Sequence, residues 1–598
     1  MTDGPSIAEH GLVGDLRTCA LVGTDGTIDW FCAPRFDSPS VFGAILDPER
    51  GGSWRISTQC EHNRTHQFYF PESATLITRF LTEDGVVEVH DFMPISKPGD
   101  AEHRQRLVRR LVAVRGETTV RTVLDARPDY GRARFEITEV DGAVDFRADL
   151  LTMRLTSSAA LTVDDGVISA ELTLKSGQTA EFVLEVLDSA DVEPQAVDVD
   201  DLFDTTAEFW RSWLAQSRYR GRWREMVERS AITLKLLTHE PSGAVVAAAT
   251  TSLPEHIGGQ RNWDYRYVWM RDAGFSLYAL LRLGFNAEAN AFIEWLSKRL
   301  GRGEREHDGL GPLRVLYDID GDEPVQEYEL DHLRGHLDSR PVRVGNAAVE
   351  QLQLDIYGDL IDSVYLFDKY GAGISYDAWS DVVYVIDWLV DNWDRDDAGM
   401  WEIRDEPQPY TTSRLMCWVA LERAIRVARR RGLPADLVTW TGARDDMYHR
   451  IMTKCWNADL QAFTQVEGGD QLDAGVLLMP MVKFISPADP RFLSTLAAIE
   501  KELVTDSLVF RYNPATDGLD GDEGTFSLCT FWYVEALTRA GRLRDAQLAL
   551  EKMFTYANHV GLYAEQVSAT GDQVGNFPQA FTHLSLISAA INLDRALG

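Results

Sequence analysis

The chain has 598 residues, 45% of them hydrophobic and 25% charged, ordinary values for a globular protein able to bury large cores. Its 59 Lys and Arg face 93 Asp and Glu, a formal net charge of −34. This excludes a disordered chain, a collagen and a disulfide scaffold, and at this length roughly two to four domains are expected.

So acidic a chain, with no basic stretch, has little with which to neutralise phosphates, so neither nucleic acid nor an anionic membrane is expected as a partner. The opening segment MTDGPSIAEHGLVGDLRT carries acidic residues and glycines where a secretory leader needs Lys or Arg followed by an apolar run. No apolar run approaches the roughly 18 residues that span a bilayer. A soluble, cytoplasmic protein is expected, and a homo-oligomer is left open. Six cysteines (Cys19, Cys32, Cys60, Cys417, Cys455, Cys529) show no CxxC pair and no His at metal spacing, which reads as buried free thiols.

From about residue 10 to 190, alternating apolar and polar runs flank the pairs Asp25-Gly26, Asp84-Gly85, Asp141-Gly142 and Asp165-Gly166. Such pairs supply the positive φ angles of tight hairpins, so residues 1–190 are expected to form an antiparallel β-sandwich. The acidic stretch DSADVEPQAVDVDDLFD and a connecting helix, TTAEFWRSWLAQ, make 191–220 the linker.

Over 221–598 the apolar period becomes helical. Twelve stretches follow, near 222–238, 271–284, 286–300, 345–369, 377–394, 411–431, 434–456, 472–483, 488–503, 523–541, 543–557 and 575–596. Connections after the even-numbered stretches are short. Those after the odd-numbered ones tend to be long and rich in Trp, Tyr, Asp, Glu and Gly. Antiparallel hairpins put all the long connections on one side, so six hairpins closing into an all-α (α/α)6 barrel would carry a bowl at one end. The rival, an open solenoid, is weakened by the lack of a fixed-period repeat.

The long connections carry the chemistry. HIGGQRNWDYRYVWMRDAGF brings Trp263, Tyr265, Tyr267 and Trp269 before Arg271 and Asp272 at a helix start. Aromatic faces stack on the C–H faces of a sugar, and an Arg-Asp pair suits its hydroxyls. A helix-capping Asp beside core aromatics is the plainer alternative. Further on, Trp401-Glu402 precedes a Pro-rich turn, and Glu565-Gln566 lies between a Tyr and a Gly-rich turn. Each Glu alone reads as a solvated loop charge. Two carboxylates on one face are what glycoside hydrolysis needs, one to protonate the leaving oxygen and one to activate water or attack carbon. Asp318, Asp320, Asp322 and Glu523 compete for these roles from the same face. The alternating aspartates in YDIDGDEPVQEYEL lack the bidentate Glu of a calcium hand and read as a solvated turn, so no metal or other cofactor is expected.

The segments IAEHGLVGDLRTCALVGTDGTIDWFCAPRFDSPSVFGAIL, NWDYRYVWMRDAG, GMWEIR with YTTSRLMCWVAL, RYNPATDGLDGDEGTFSLCTFW and YAEQ together resemble glycoside hydrolase family 15, which comprises glucoamylases, glucodextranases and a bacterial and archaeal trehalase branch. The resemblance covers nearly the whole chain. It implies an inverting hydrolase of small α-glucosides with Glu402 as general acid, Glu565 as general base and Gln566 beside the attacking water. It further implies that Arg271, Asp272, Tyr265, Trp269, Trp401 and Arg511 bind the sugar. An inverting pair stands roughly 6.5–9.5 Å apart.

Where secreted glucoamylases have a second Glu after the acid, this chain has Ile403, so the leaving-group subsite differs. With no starch-binding module, a small cytoplasmic substrate is implied, trehalose first and maltose, isomaltose or short α-glucans second. A phosphorylase would dispense with Glu565, and a non-catalytic sugar-binding protein with both glutamates.

Overall fold

The computed structural model describes residues 5–60, 63–95, 104–140, 142–149, 151–187, 197–300, 309–322, 325–371, 373–513 and 523–598. Among the described residues, fifteen antiparallel strands make up the N-terminal β domain. They form two layers that run into each other through one long strand, Arg106–Asp125. Its first half pairs with Gly85–Phe92 and Thr179–Leu187, and its second half with Ser53–Thr58 and Val167–Lys175. Trp54, Phe80, Leu111 and Phe182 are buried in the core.

The Asp-Gly turns behave individually. Asp165 and Gly166 both take positive φ, 44° and 81°, which closes a tight hairpin whose twist matches its strands. Asp84-Gly85 turns with positive φ at neither residue, against expectation. There Thr82 Oγ1 accepts from the Gly85 N–H and donates to its C=O, both at 3.0 Å, and a side chain replaces the backbone geometry. Asp141 and most of the acidic stretch, 188–196, lie outside the described residues.

A connecting helix, α1 (Val199–Leu214), leads to the helical domain. Its outer helices are α2 (Arg224–Leu236), α4 (Asn286–Leu300), α6 (Tyr376–Asn392), α8 (Leu437–Lys454), α9 (Pro490–Glu502) and α11 (Leu543–Phe554). The inner ring runs α3 (Met270–Leu283), α5 (Asp355–Tyr370), α7 (Thr411–Arg431), a 3-10 helix Ala474–Leu478, α10 (Ser527–Arg539) and α12 (Ala580–Leu597). Each inner element packs on the next, and α12 closes on α3, giving the (α/α)6 barrel.

The two rings differ as burial demands. In α10 every residue but Arg539 is buried, whereas α9 buries only Phe492, Thr495, Leu496 and Ile499, one stripe at helical spacing. Three expected helices are shorter than their apolar patterns. Residues 472–483 hold only the 3-10 helix, because Pro480 lacks a donor and Lys483 turns left-handed at φ 66°. The stretch 345–369 is broken between Glu350 and Asp355. The last helix waits until Ala580, just past Pro578.

Each long connection enters an inner element, and all but the one between α6 and α7, where Asp397 and Gln408 form an isolated bridge, contain two-residue strands. Val268–Trp269 pairs with Leu316–Tyr317, and Thr525–Phe526 with Gln566–Val567. These short ladders fix the ends of the loops that build the bowl. Among the described residues no helix is long and apolar enough to cross a membrane, and no group of three His, Cys, Asp or Glu could hold a metal ion.

Candidate active site

The ladder Val268–Trp269 delivers the chain into α3, so that Arg271 and Asp272 fall in its first turn. Arg271 is buried and spends its guanidinium on three acceptors: Asp355 at 2.8 Å, Gln353 at 3.1 Å and Glu402 at 2.9 Å. The break before α5 supplies Gln353 and Asp355, the first at the loop and the second at the helix start. Asp272 is also buried. Burial pushes its carboxyl up to about 7, with Glu402 adding to the rise and Arg271 opposing it.

Glu402 sits on the connection between α6 and α7 in the left-handed region, φ 58°, a conformation that a β-carbon makes costly. The turn that holds it closes through Glu402 N–H to Gly399 C=O and Ile403 N–H to Ala398 C=O. Its Oε1 accepts from Trp269 Nε1 at 2.6 Å as well as from Arg271, and the side chain keeps 20% exposure. Trp401 points the other way. Its indole donates to Asp473 at 2.9 Å, and its ring packs against Phe526 and Trp532.

Glu565 is 1% exposed and accepts from the Tyr265 hydroxyl at 2.7 Å through Oε1. Its Oε2 is buried with no hydrogen-bond partner among the described residues. Gly575 makes room for that oxygen, since a Cβ there would lie 2.7 Å from it. Burial holds the Glu565 carboxyl well above the ordinary range. The charges of Glu255 and Glu402 raise it further, while the Tyr265 hydrogen bond and Arg511 pull it down.

Behind Glu565 lies a second acidic layer. Gln566 donates to Glu255 at 2.9 Å and accepts from the Gly524 N–H, and Arg511 reaches both Glu255 and Glu523. Glu523 is thereby tied to Arg511. Asp318 and Asp322 close their own turn, and Asp320 pairs with Arg35 of the β domain, so this competing trio lines no part of the bowl described here.

Two chambers meet at Glu402. The first is lined by Tyr265, Trp269, Arg271, Asp272, Trp401, Glu402, Arg511 and Glu565 together with Met400, Phe526, Gln579 and Phe581. The second shares Tyr265, Trp401, Glu402 and Arg511 and adds Glu255, Arg261, Trp263, Asn346 and Arg404. Of the nine residues to which the family resemblance gives catalytic or sugar-binding roles, eight line one cavity. Gln566 lines neither chamber. Glu255, Gln353, Asp355, Asp473 and Arg404 were missed, for each is an ordinary polar residue in or at the edge of an irregular stretch and only the folded chain brings it to the pair.

The sequence matches the family model described as Glycosyl hydrolases family 15 over residues 221–591, and a trehalase-like N-terminal model over 2–210. The chain belongs to glycoside hydrolase family 15. It is a glycoside hydrolase. The chain is 37% identical to a trehalase of Mycobacterium tuberculosis, an alignment covering 99% of this chain and 90% of that protein. It is 36% identical to a trehalase of Thermoplasma acidophilum, with 96% and 98% covered. A crystal structure of a bacterial glucoamylase complexed with acarbose is similar over 99% of this chain and 95% of that one, with a TM-score of 0.75. At 14% identity that likeness concerns the fold alone.

Proposed function

We propose that the protein hydrolyses α,α-trehalose with inversion at the attacked carbon, Glu402 acting as general acid and Glu565 as general base. The observation that carries this reading is the position of Glu402 on the lining of both chambers, beside the Tyr265, Trp401 and Arg511 that they share. One glucose occupies the first chamber and the leaving glucose the second, which sets the glycosidic oxygen beside Glu402. The choice of trehalose rests on relatives named trehalase that match along essentially the whole chain.

Each carboxyl has one oxygen engaged and one to spare. Glu402 Oε1 is occupied by two N–H donors, leaving Oε2 to hold a proton and deliver it to the glycosidic oxygen as the C–O bond breaks. Glu565 Oε1 is held by Tyr265, leaving Oε2 to take a proton from the water that attacks the anomeric carbon from the opposite face. Burial makes Glu565 a stronger base than a solvated carboxylate. Asp272 and Arg271 at the floor of the first chamber bind glucose hydroxyls, and Trp401, Tyr265 and Arg511 form the shared wall.

Proton NMR of fresh reactions with trehalose, maltose and isomaltose tests this. One β-glucose and one α-glucose from each trehalose, before mutarotation, is the expected result. β-Glucose from maltose or isomaltose with trehalose untouched would keep the acid–base pair and assign an exo-α-glucosidase instead. Retained turnover in Glu402→Gln and Glu565→Gln would overturn the assignment of roles.

A further inference from the structure

The segment that feeds both carboxyls is held from the other domain. Tyr265 donates to Glu565 and Trp269 donates to Glu402, so five residues of chain carry a donor for each. Between them lies Arg266, fully buried and turned away from the bowl. Its guanidinium is tied to Asp264 at 2.7 and 2.9 Å, to the C=O of Ser38 at 2.9 Å and to the hydroxyl of Tyr130 at 2.9 Å. It also lies against the rings of Trp30 and Tyr130. Ser38, Trp30 and Tyr130 all belong to the β domain.

Tyr130 is a strained residue. Asp129 and Tyr130 are consecutive non-glycine residues in the left-handed region, φ 55° and 56°, on a turn that follows the long central strand. Two such residues in a row persist only where the surroundings hold them, and strain of this kind collects at working sites. Here the surroundings are the turn's own β-domain neighbours, Ser40 and Arg132 among them, together with the helical domain. The hydroxyl of Tyr130 accepts from Arg266, its carbonyl accepts from His332 Nε2 at 2.8 Å, and the residue is 2% exposed. Nearby, the C=O of Ile45 accepts from His336 and Asp47 accepts from the Arg334 N–H, so the loop before Arg343 and Asn346 is gripped in the same way.

We propose that the β domain is a working part of the active site: Tyr130, acting through Arg266, is a positioning residue for Tyr265 and Trp269 and so sets both Glu565 and Glu402. The inference rests on the acid and base roles given above. A displaced Tyr265 lengthens its hydrogen bond to Glu565, which raises the Glu565 carboxyl further, because that bond favours the ionised form. Misplacement of a reacting group by a fraction of an ångström to an ångström costs roughly tenfold to a hundredfold in rate.

The test is Tyr130→Phe, which deletes one hydroxyl from a buried ring, beside Tyr265→Phe and the double variant, with kcat, KM and the pH profile of trehalose hydrolysis measured on each and thermal unfolding followed in parallel. Tyr130→Phe is expected to lower kcat by roughly tenfold with KM little changed and to move the low-pH limb of the profile upward. In the Tyr265→Phe background the same substitution should leave that limb where it is. Arg266→Lys, which keeps the charge and loses the fork, should act like Tyr130→Phe and more strongly. A variant that unfolds at a lower temperature yet keeps the wild-type limb and kcat, or a limb shift that adds in full to that of Tyr265→Phe, overturns the inference. Loss of turnover in Glu402→Gln and Glu565→Gln checks the underlying roles separately.

Discussion

Tyr265 and Glu565, 300 residues apart in the chain, meet at 2.7 Å, and among the described residues the hydroxyl is the one donor to a carboxyl that Glu255 and Glu402 push up and Arg511 pulls down. The bond favours the ionised base. In Tyr265→Phe the Glu565 carboxyl rises further, so a smaller fraction is ionised at any given pH. The loss of kcat/KM should be largest at acid pH and shrink as pH rises. A hydrogen bond to a charged group is worth about 1.5–3 kcal/mol, so the low-pH limb should move up by roughly one to two pH units. A pH profile of kcat/KM checks this, and a uniform loss across pH would contradict it.

Glu255 predicts the opposite shift of the same limb. Its charge raises the Glu565 carboxyl, and its Oε2 accepts from Gln566. Glu255→Gln removes the charge while its amide oxygen still accepts from Gln566. The low-pH limb should fall, and the variant should gain activity relative to wild type on the acid side. An unchanged or raised limb would show that Glu255 does not act on the base electrostatically.

Much of this architecture was legible because its physics is periodic. An outer helix such as α9 buries one stripe, and a hairpin array needs its long connections on one side. Tyr265, Trp269, Arg271 and Asp272 could be picked out together because they are contiguous. The misreadings fall where periodicity ends. The pattern through 345–369 reads as one helix, yet the chain breaks so that Gln353 and Asp355 can hold Arg271. The two-residue strands around Phe526 and Gln566 are too short to leave a pattern. Glu255 and Arg404 carried no local signal, since their partners Gln566 and Glu327 are distant in the sequence. Nothing in the Asp129-Tyr130 dipeptide announces that it is buried in another domain's loop.

Asp397 links site architecture to stability. Its carboxylate accepts from the Leu354 N–H ahead of α5 at 2.8 Å and from the Ser413 hydroxyl in α7 at 2.7 Å. Burial nevertheless pushes it up to about 7. The folded value lies above the unfolded value of about 3.9, so its contribution is fully present below about pH 4 and is lost as pH rises through about 7. Asp397→Asn removes this titration. The difference in unfolding free energy, wild type minus variant, should fall by a few kcal/mol between about pH 4 and 7 and then level off. Denaturant melts at four or five pH values would measure it, and a difference independent of pH would remove Asp397 from the account.

The second chamber has a wall whose stacking can be weakened without touching the reacting groups. The guanidinium groups of Arg404 and Arg343 lie 3.9 and 4.5 Å from the Trp263 ring centre, and Glu327 holds both, at 2.9 Å and 3.5 Å. Arg404 follows Glu402 by two residues, on the side where the leaving glucose is proposed to sit. Arg404→Ala frees the Trp263 ring on that side and deletes donors facing the second chamber. A hydrogen bond from such a donor to a sugar hydroxyl is worth about 1 kcal/mol, which is roughly fivefold in binding. The wall contacts the leaving sugar equally before and during bond breaking, so KM for trehalose should rise by about that factor while kcat stays near wild type. An aryl α-glucoside, whose leaving group makes fewer polar contacts there, should show a smaller rise. If kcat falls instead, with KM unchanged, Arg404 acts on the turn that carries Glu402, and the second chamber is not where the leaving sugar binds.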